Sequence, residues 1–270
     1  MNNCFSDLCI VTDLDGTLLD DDQQISNRSR QTIAAFQKEG GIFTFATGRV
    51  QTSIVSFVEQ LNIQYPIITH NGAQIFCPKT KRVIYRQTLP LNDSLKEMLA
   101  KLENVEIMYF IDEDIYTNEK GPLISLFEKK EKLTVLEVLP LQIESVSKII
   151  IAHKNQTFLT ALEEQIKIKH FCLSTTFSEP EYLELLPNNT SKGIALKHFN
   201  KHYNHDNRKL ITFGNNINDI SLIKAADVGI AVYNAQLELK HVATKVLHKT
   251  NQEEAVADYI EKLQMKKEMA

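Results

Sequence analysis

The stretch from Leu8 to Leu19, LCIVTDLDGTLL, constrains this chain more than any other part of its sequence. It begins with a short apolar run containing β-branched residues, which predicts a buried strand. Asp13 and Asp15 stand one residue apart at the end of that strand, so their side chains leave the same side of the backbone. Gly16 then lets the chain turn. Two carboxylates on one side repel each other unless a cation or a shared proton lies between them, so the pattern predicts a functional site.

An acidic, solvated turn is the alternative interpretation of this stretch. Asp-Gly is a common turn pair, and an acidic run at 20–22 follows directly. The pattern Asp-x-Asp-Gly-Thr, however, should arise by chance in roughly one chain of this length in several hundred. That rarity favours a functional site over a plain turn.

Strand and helix patterns alternate after this stretch. A helix capped by Ser26 leads to a second strand at 42–46, and a second helix leads to a third strand at 67–69. This order predicts a parallel sheet wound with right-handed crossovers. The same alternation returns after Pro187.

The middle of the chain has a different rhythm, with helices, strands and few strong turn signals, which is typical of an α+β module with an antiparallel sheet. The predicted fold class is therefore α/β, a Rossmann-like parallel sheet core interrupted by an inserted α+β cap domain. Its predicted parts are a first core segment at 1–85, the cap domain at 86–187 and a second core segment at 188–270.

Composition argues against several other classes of protein. The 270 residues carry a net charge of −4, so no general attraction to nucleic acid or to an anionic membrane is expected. No segment approaches the ~18 apolar residues that span a bilayer, and the short apolar N-terminal run ends in acid, unlike a signal peptide. The 4 cysteines are scattered without metal-like spacing, so reduced thiols and a cytoplasmic location are expected.

Three further polar segments follow predicted strands. Thr47 and Gly48 come directly after the second strand, where a hydroxyl and an amide can donate to a phosphoryl oxygen. Lys192 begins a predicted helix, where the helix dipole disfavours a cation, which suggests an anionic partner. An asparagine-rich turn at 215–219 follows another strand. Each alone has an ordinary interpretation as a turn or a surface lysine, but their positions after strand ends favour one shared site.

In their order along the chain and in their residue patterns, these segments resemble the four motifs of the haloacid dehalogenase (HAD) superfamily of phosphotransferases. The matching residues are Asp13-x-Asp15-Gly-Thr for the first motif, Thr47 in Ala-Thr-Gly-Arg for the second, Lys192 in Ser-Lys-Gly for the third, and Gly214-Asn-Asn-Ile-Asn-Asp219 for the fourth. The resemblance covers essentially the whole chain. With Asn71-Gly72-Ala73 and the inserted cap, it indicates the class IIB, Cof-type sugar-phosphatase-like branch and its HAD fold.

The resemblance implies a phosphatase that works through an aspartyl phosphate. Asp13 would be the nucleophile, while Asp15, more easily protonated beside the ionised Asp13, would protonate the leaving oxygen and later deprotonate water. Mg²⁺ would reduce the repulsion between carboxylate and phosphate. The implied residues are, for catalysis, Asp13, Asp15, Thr47 and Lys192; for substrate binding, Leu14, Thr47, Gly48, Arg49, Asn71, Lys192 and Asn218; and for the metal, Asp13, Asp15, Asn215 and Asp219.

One position departs from the family pattern, because the usual Gly-Asp of the fourth motif is Gly214-Asn215 here. An amide oxygen can still ligate Mg²⁺, but one formal negative charge is lost.

The predicted function is a Mg²⁺-dependent phosphatase of small phosphorylated metabolites. A weakly active or inactive relative that binds phosphorylated ligands for regulation, and a phosphomutase, stay open as alternatives. The cap is expected to select the substrate, which the sequence does not reveal, and its polar candidates are Asp112, Glu113, Tyr116 and Asn118. The oligomeric state is not predicted either.

Overall fold

The computed structural model describes residues 4–137, 143–169, 171–203 and 208–268. Its strands are β1 (Leu8–Thr12), β2 (Ile42–Phe45), β3 (Ile67–Thr69), β4 (Gln74–Cys77), β5 (Arg82–Arg86), β6 (Leu89–Pro90), β7 (Glu106–Ile111), β8 (Asp114–Tyr116), β9 (Val135–Leu136), β10 (Ser145–Val146), β11 (Lys148–Ala152), β12 (Leu173–Glu179), β13 (Tyr182–Pro187), β14 (Lys209–Gly214), β15 (Val228–Ala231) and β16 (Lys245–Val246). Its α-helices are α1 (Asn27–Lys38), α2 (Val55–Gln60), α3 (Asp93–Ala100), α4 (Pro122–Glu131), α5 (Gln156–Ile168), α6 (Lys192–Tyr203), α7 (Ile220–Lys224), α8 (Leu237–Val242) and α9 (Ala255–Glu268).

A five-stranded parallel sheet, in the order β16-β15-β14-β1-β2, forms the centre of the molecule. Thr12 at the end of β1 is level with Phe45 on one side and with Phe213 on the other. The loops after β1, β2 and β14 therefore leave the sheet side by side at one edge. This register is what brings the predicted motif segments together.

Both faces of this sheet are buried. Along β1, Leu8 and Ile10 pack in the cluster that contains residues of α1 and α9, while Cys9 and Val11 pack in the cluster that contains residues of α6. A strand buried on both faces has a continuous apolar sequence, as β1 does. The predicted α/β core is confirmed.

The third predicted strand does not extend the parallel sheet as expected. β3 pairs antiparallel with β4 in the separate three-stranded sheet β3-β4-β5, and it touches the parallel sheet through one bridge from Ala46 to Ile68. Pro66, directly before β3, has no N–H to donate to a ladder, and its carbonyl accepts a hydrogen bond from the Thr44 hydroxyl at 2.7 Å.

Residues between β5 and α6 build a second, six-stranded sheet in the order β12-β13-β11-β7-β8-β9, which is antiparallel except for the pair β8 and β9. Helices α3 and α5 pack on one face, beside Ile149 and Ile151 of β11, and α4 packs beside Ile150 and Ala152 on the other face. The sequence indicates a strand over 133–138, but β9 is shorter, and Val138 lies outside the described residues.

This α+β module is the inserted cap of the predicted fold class. The exact domain limits, at 85/86 and 187/188, stay predictions. In the described part of the chain, no helix combines the length and the apolar character needed to cross a membrane.

Candidate active site

Asp13 and Asp15 lie where β1 ends, at the edge to which the loops after β2 and β14 also lead. The Asp13 amide continues the sheet by donating to the Phe213 carbonyl at 3.0 Å. Gly16 then turns the chain with a φ of 68°, and a Cβ there would lie 2.3 Å from the side-chain amide nitrogen of Asn215. Glycine at this position therefore permits both the turn and the close approach of the fourth motif.

Lys192, the first residue of α6, is 1% exposed. Its Nζ donates to Oδ1 of Asp13 at 2.6 Å and to Oδ1 of Asp219 at 2.6 Å. Burial disfavours the ammonium, but the charges of Asp13 and Asp219 raise the pKa of Lys192 on balance. The two carboxylates supply the anionic partner that a cation at a helix N-terminus requires.

Asp13 has a pKa raised to about 7, first because burial disfavours its charged form and next because Asp219 is negative, while Lys192 acts in the opposite direction. A further cation at the site would favour ionised Asp13. The position therefore combines a buried carboxylate with a need for positive charge.

Asp219 is held entirely by protein donors. Besides Lys192 on Oδ1, its Oδ2 accepts hydrogen bonds from the backbone amides of Asn215 at 2.9 Å and Asn216 at 3.2 Å. These bonds shape the turn that places Asn215. Because both of its oxygens are engaged, the arrangement favours an indirect part for Asp219 in metal binding, and its direct ligation stays a prediction.

Arg49 holds Asp15 through two hydrogen bonds, from Nε at 2.9 Å and from Nη2 at 2.7 Å. Burial would raise the pKa of Asp15, but the hydrogen bonds and charge of Arg49 lower it on balance. This differs from the expectation of a protonated Asp15, because no local pattern of residues indicates that Arg49 turns back onto it. Arg49 also pairs with Glu131 of α4 at 3.2 Å.

The loops after β2 and β3 form one unit. The Thr47 hydroxyl accepts from the Arg49 amide at 3.1 Å, and the Thr47 carbonyl accepts from the Asn71 amide at 3.1 Å. Asn71 has a φ of 53°, in the left-handed region that asparagine tolerates. The Leu14 side chain is fully buried in the core, so only its backbone is available to a ligand.

A cavity of about 60 Å³ lies between the strand ends of the core and the cap. Predicted site residues that line it are Asp13, Asp15, Gly48, Arg49, Asn215 and Asn218. The cap contributes Phe110, Phe127, Glu131, Lys148, Ile150, Ser178, Glu179, Tyr182 and Glu184. The volume has room for only a few water molecules.

The cap residues that line this cavity were not predicted from the sequence. Asp112, Glu113, Tyr116 and Asn118, the candidates named there, do not line the cavity. A signal did exist in Lys148, which opens the apolar run KIIIA. A lone charge in an otherwise buried strand is uncommon enough to mark a candidate, and the same holds for Glu184 in YLELLP.

The oxygen donors at this edge fit a small divalent cation. The Asp13 carboxylate, the Asn215 amide oxygen and the Asp15 backbone belong to residues that line one cavity, and oxygen ligands suit Mg²⁺. Over the ranges that the structure describes, no group of three or more His, Cys, Asp or Glu side chains is placed to hold a metal. Residue 215 carries an amide where the family pattern described above has an acid.

A family model described as haloacid dehalogenase-like hydrolase matches residues 10–260. The chain therefore belongs to the haloacid dehalogenase-like hydrolases. The resemblance found in the motif residues is confirmed over nearly the whole length of the chain.

Relatives and solved structures agree with this assignment. The 5-amino-6-(5-phospho-D-ribitylamino)uracil phosphatase YitU of Bacillus subtilis is 26% identical over 260 residues, with 93% of this chain and 95% of that protein covered. The pyridoxal phosphate phosphatase YbhA of Escherichia coli is 25% identical over 264 residues, with 93% and 96% covered.

A crystal structure of a haloacid dehalogenase-like hydrolase from Bacteroides thetaiotaomicron is 27% identical, with a TM-score of 0.81 and with 95% of this chain and 99% of that chain covered. Together with the family match, the relatives confirm the predicted class of enzyme, a phosphoric monoester hydrolase.

Proposed function

We propose that this protein is a Mg²⁺-dependent phosphatase of small phosphorylated metabolites that works through an aspartyl phosphate on Asp13. The observation that carries the proposal is the buried Lys192, which fixes the Asp13 carboxylate at the end of β1 and beside the cavity. The printed names of the two relatives, which refer to a phosphorylated ribitylaminouracil and to pyridoxal phosphate, support small phosphorylated metabolites as the substrate class.

In the first step an Asp13 carboxylate oxygen attacks phosphorus, and the bond from phosphorus to the leaving oxygen breaks. Asp15 gives its proton to that oxygen, which departs as an alcohol. Lys192 keeps the attacking carboxylate in place and offsets the charge of the phosphoryl group. Thr47, Gly48, Asn71 and the Leu14 backbone are proposed to border the phosphoryl group or the leaving group.

In the second step Asp15 removes a proton from water, whose oxygen attacks phosphorus and releases Asp13 and inorganic phosphate. The carboxylate form of Asp15 that Arg49 stabilises suits this step. For the first step Asp15 must be protonated, so we propose that the incoming phosphate draws Arg49 away from it. Guanidinium groups bind phosphate through charge-assisted bonds comparable to those with carboxylate.

Asp13, Asn215 and the Asp15 backbone oxygen would hold Mg²⁺, with Asp219 supporting the turn that carries Asn215. When bound, Mg²⁺ supplies positive charge that reduces the repulsion between the Asp13 carboxylate and the phosphate. We propose that the cap, residues 86–187, admits the substrate and excludes water during the reaction. A cytoplasmic location stays a prediction.

The test is release of inorganic phosphate from p-nitrophenyl phosphate with and without Mg²⁺. We expect turnover that requires the metal and disappears in Asp13→Asn. No metal-dependent turnover of this ester, or of a panel of phosphorylated sugars, nucleotides and cofactors, would reject the proposal. The amide at Asn215 would then favour the second candidate, a relative that binds phosphorylated ligands without turning them over.

A further inference from the structure

Two charged side chains lie on the face of the cap sheet that is turned toward the core, Lys148 on β11 and Glu184 on β13. Lys148 Nζ and Glu184 Oε2 are 2.9 Å apart, and the side chains are 3% and 1% exposed. The ring of Phe110 lies 4.5 Å from Nζ, measured to its centroid. Desolvation offsets much of the attraction within such a buried pair, so stability alone gives little reason for its presence.

Both charges also bind the core. Lys148 Nζ donates to the Gly48 carbonyl at 3.0 Å, and the Asn71 side-chain amide donates to Glu184 Oε2 at 2.8 Å. Gly48 belongs to the loop after β2, and Asn71 to the loop after β3. The cap therefore places one ion pair against both loops at once.

These contacts fix the orientation of two amide groups in series. The Glu184 carboxylate can only accept, so Asn71 turns its NH₂ group toward it and its Oδ1 toward Asn218. The side-chain NH₂ group of Asn218 donates to Asn71 Oδ1 at 3.0 Å. Its Oδ1 is left buried, and no donor among the described residues reaches it.

Asn218 lines the cavity together with Asp13 and Asp15, so a ligand can supply the missing donor. Phosphoryl oxygens act mainly as acceptors at neutral pH, and the donor must then come from the organic part of the ligand. A buried acceptor that stays unpaired lowers affinity, so the position discriminates between ligands.

We propose that Lys148 and Glu184 are positioning residues that orient Asn71 and Asn218 when the cap closes. In this orientation Asn218 Oδ1 accepts a hydrogen bond from a hydroxyl or amino group close to the phosphoester. This inference deepens the proposed function, on which it rests, since it assigns the recognition of the leaving group to the cap. We call the series of hydrogen bonds from Lys148 and Glu184 through Asn71 to Asn218 the relay.

The test compares dissociation constants of matched phosphomonoesters by calorimetry, in an Asp13→Asn background that prevents turnover. The pairs are glycerol 3-phosphate with propyl phosphate, and ethanolamine phosphate with ethyl phosphate. We expect the ester that carries a donor to bind about tenfold more tightly in each pair. Equal affinities within both pairs, or no binding of any of the four esters, would overturn the inference.

The variant that isolates the relay is Lys148→Met combined with Glu184→Gln. It removes both charges together, so no buried charge is left unpaired, and the new amide can donate or accept, which frees Asn71 to turn. We expect the affinity ratio to fall to about one. Asn218→Ala, which removes the acceptor itself, should do the same and serves if the double variant does not fold.

Glu164→Gln is the matched control, because Glu164 is exposed on α5 and should keep the full ratio. A full ratio in the double variant, or in Asn218→Ala, would contradict the relay. The outcome is separate from that of the phosphatase test. If the wild type releases no phosphate and the ratio is kept in the Asp13→Asn background, the enzyme activity alone is rejected. If the wild type turns over and that ratio is absent, the relay alone is rejected.

Discussion

Lys192 would be costly to bury by itself, because a charge taken out of water without partners destabilises a fold by several kcal/mol. The carboxylates of Asp13 and Asp219, each 2.6 Å from Lys192 Nζ, compensate that charge. Neither carboxylate is favourable in the buried site without the lysine. The three side chains are therefore interdependent. In this arrangement the Asp13 carboxylate lies beside the cavity, while the Asp219 carboxylate stabilises the turn at 215–219.

For Asp13→Asn we expect at least about a thousandfold loss of phosphate release, since an amide cannot take the nucleophile's place. The fold should persist. Burial raises the pKa of Asp13 to about 7, so its contribution to stability declines as pH rises from the unfolded value toward 7, and a neutral amide removes that effect. Thermal unfolding at pH 8 should thus show an unchanged or higher midpoint. Asp22→Asn, an exposed acid in the following loop, is the control and should leave turnover intact.

Asn215→Asp restores a carboxylate at the one position that departs from the family pattern. An added charge beside a dication strengthens Coulomb attraction, reduced by desolvation, so we expect Mg²⁺ to bind about tenfold more tightly. Titration of activity with Mg²⁺, and calorimetry without substrate, should both show the shift. Asn118→Asp adds the same charge at an exposed position of the cap and should leave Mg²⁺ binding unchanged. Equal half-maximal concentrations for Asn215→Asp and wild type would show that residue 215 is no ligand.

Among the elements, α6 and α7 approach each other closely enough to decide where Lys192 lies. Gly193 follows Lys192 in the first turn of α6, and a Cβ on it would lie 2.1 Å from the Ser221 carbonyl oxygen. The Gly193 amide donates to the Ser221 hydroxyl at 3.1 Å. The glycine of the Ser-Lys-Gly motif is thus a packing requirement that positions the lysine.

Gly193→Ala should therefore force the two helices apart. We expect a loss of about 1–3 kcal/mol in the free energy of unfolding, as for other overpacked sites, with a larger fall in kcat than in substrate affinity. Urea unfolding and steady-state kinetics measure the two effects. Ile194→Ala changes an exposed side chain in the same turn and should alter neither much. Wild-type stability in Gly193→Ala would contradict the packing argument.

At the scale of the whole molecule, the cap covers the site through polar contacts that join it to the core. Asn216 donates to the Ser178 carbonyl at 2.6 Å, and Ser53 donates to Glu131 at 3.0 Å, in addition to the contacts of Lys148 and Glu184. The cavity of about 60 Å³ lies between these contacts of the cap and the strand ends of the core. We therefore expect substrate entry to involve movement of the cap.

Solution scattering can detect that motion. We expect a larger radius of gyration for the free protein than for the protein with Mg²⁺ and orthovanadate, because the cap opens in the absence of a ligand. Asp13→Asn with the same additions serves as the control, and its closure should be weaker. Identical scattering curves for wild type with and without the additions would contradict an opening cap.

The residues that follow β1, β2 and β14 could be assigned from the sequence because apolar periodicity, glycine turns and helix caps are encoded in neighbouring residues. Ser26 caps α1 as predicted, accepting from the Ser29 amide at 3.0 Å. Strand ends identified in this way meet at one edge once the sheet is parallel. Lys192 follows β13 of the cap sheet instead, and the resemblance to the family motifs grouped it with Asp13 although 179 positions separate them.

Tertiary structure alone decided which side chains meet across the cavity. Local patterns do not show that Arg49 turns onto Asp15, or that β11 and β13 present Lys148 and Glu184 to the core. The Arg49 contact joins two loops of the core, whereas the contacts of Lys148 and Glu184 depend on how the cap sheet lies against the core. Many arrangements share the same local periodicity. The sequence by itself determined the core fold, its motifs and their likeness to a family. Tertiary packing brought Arg49 onto Asp15 and set Lys148 and Glu184 against the core, because these contacts join segments that are distant along the chain.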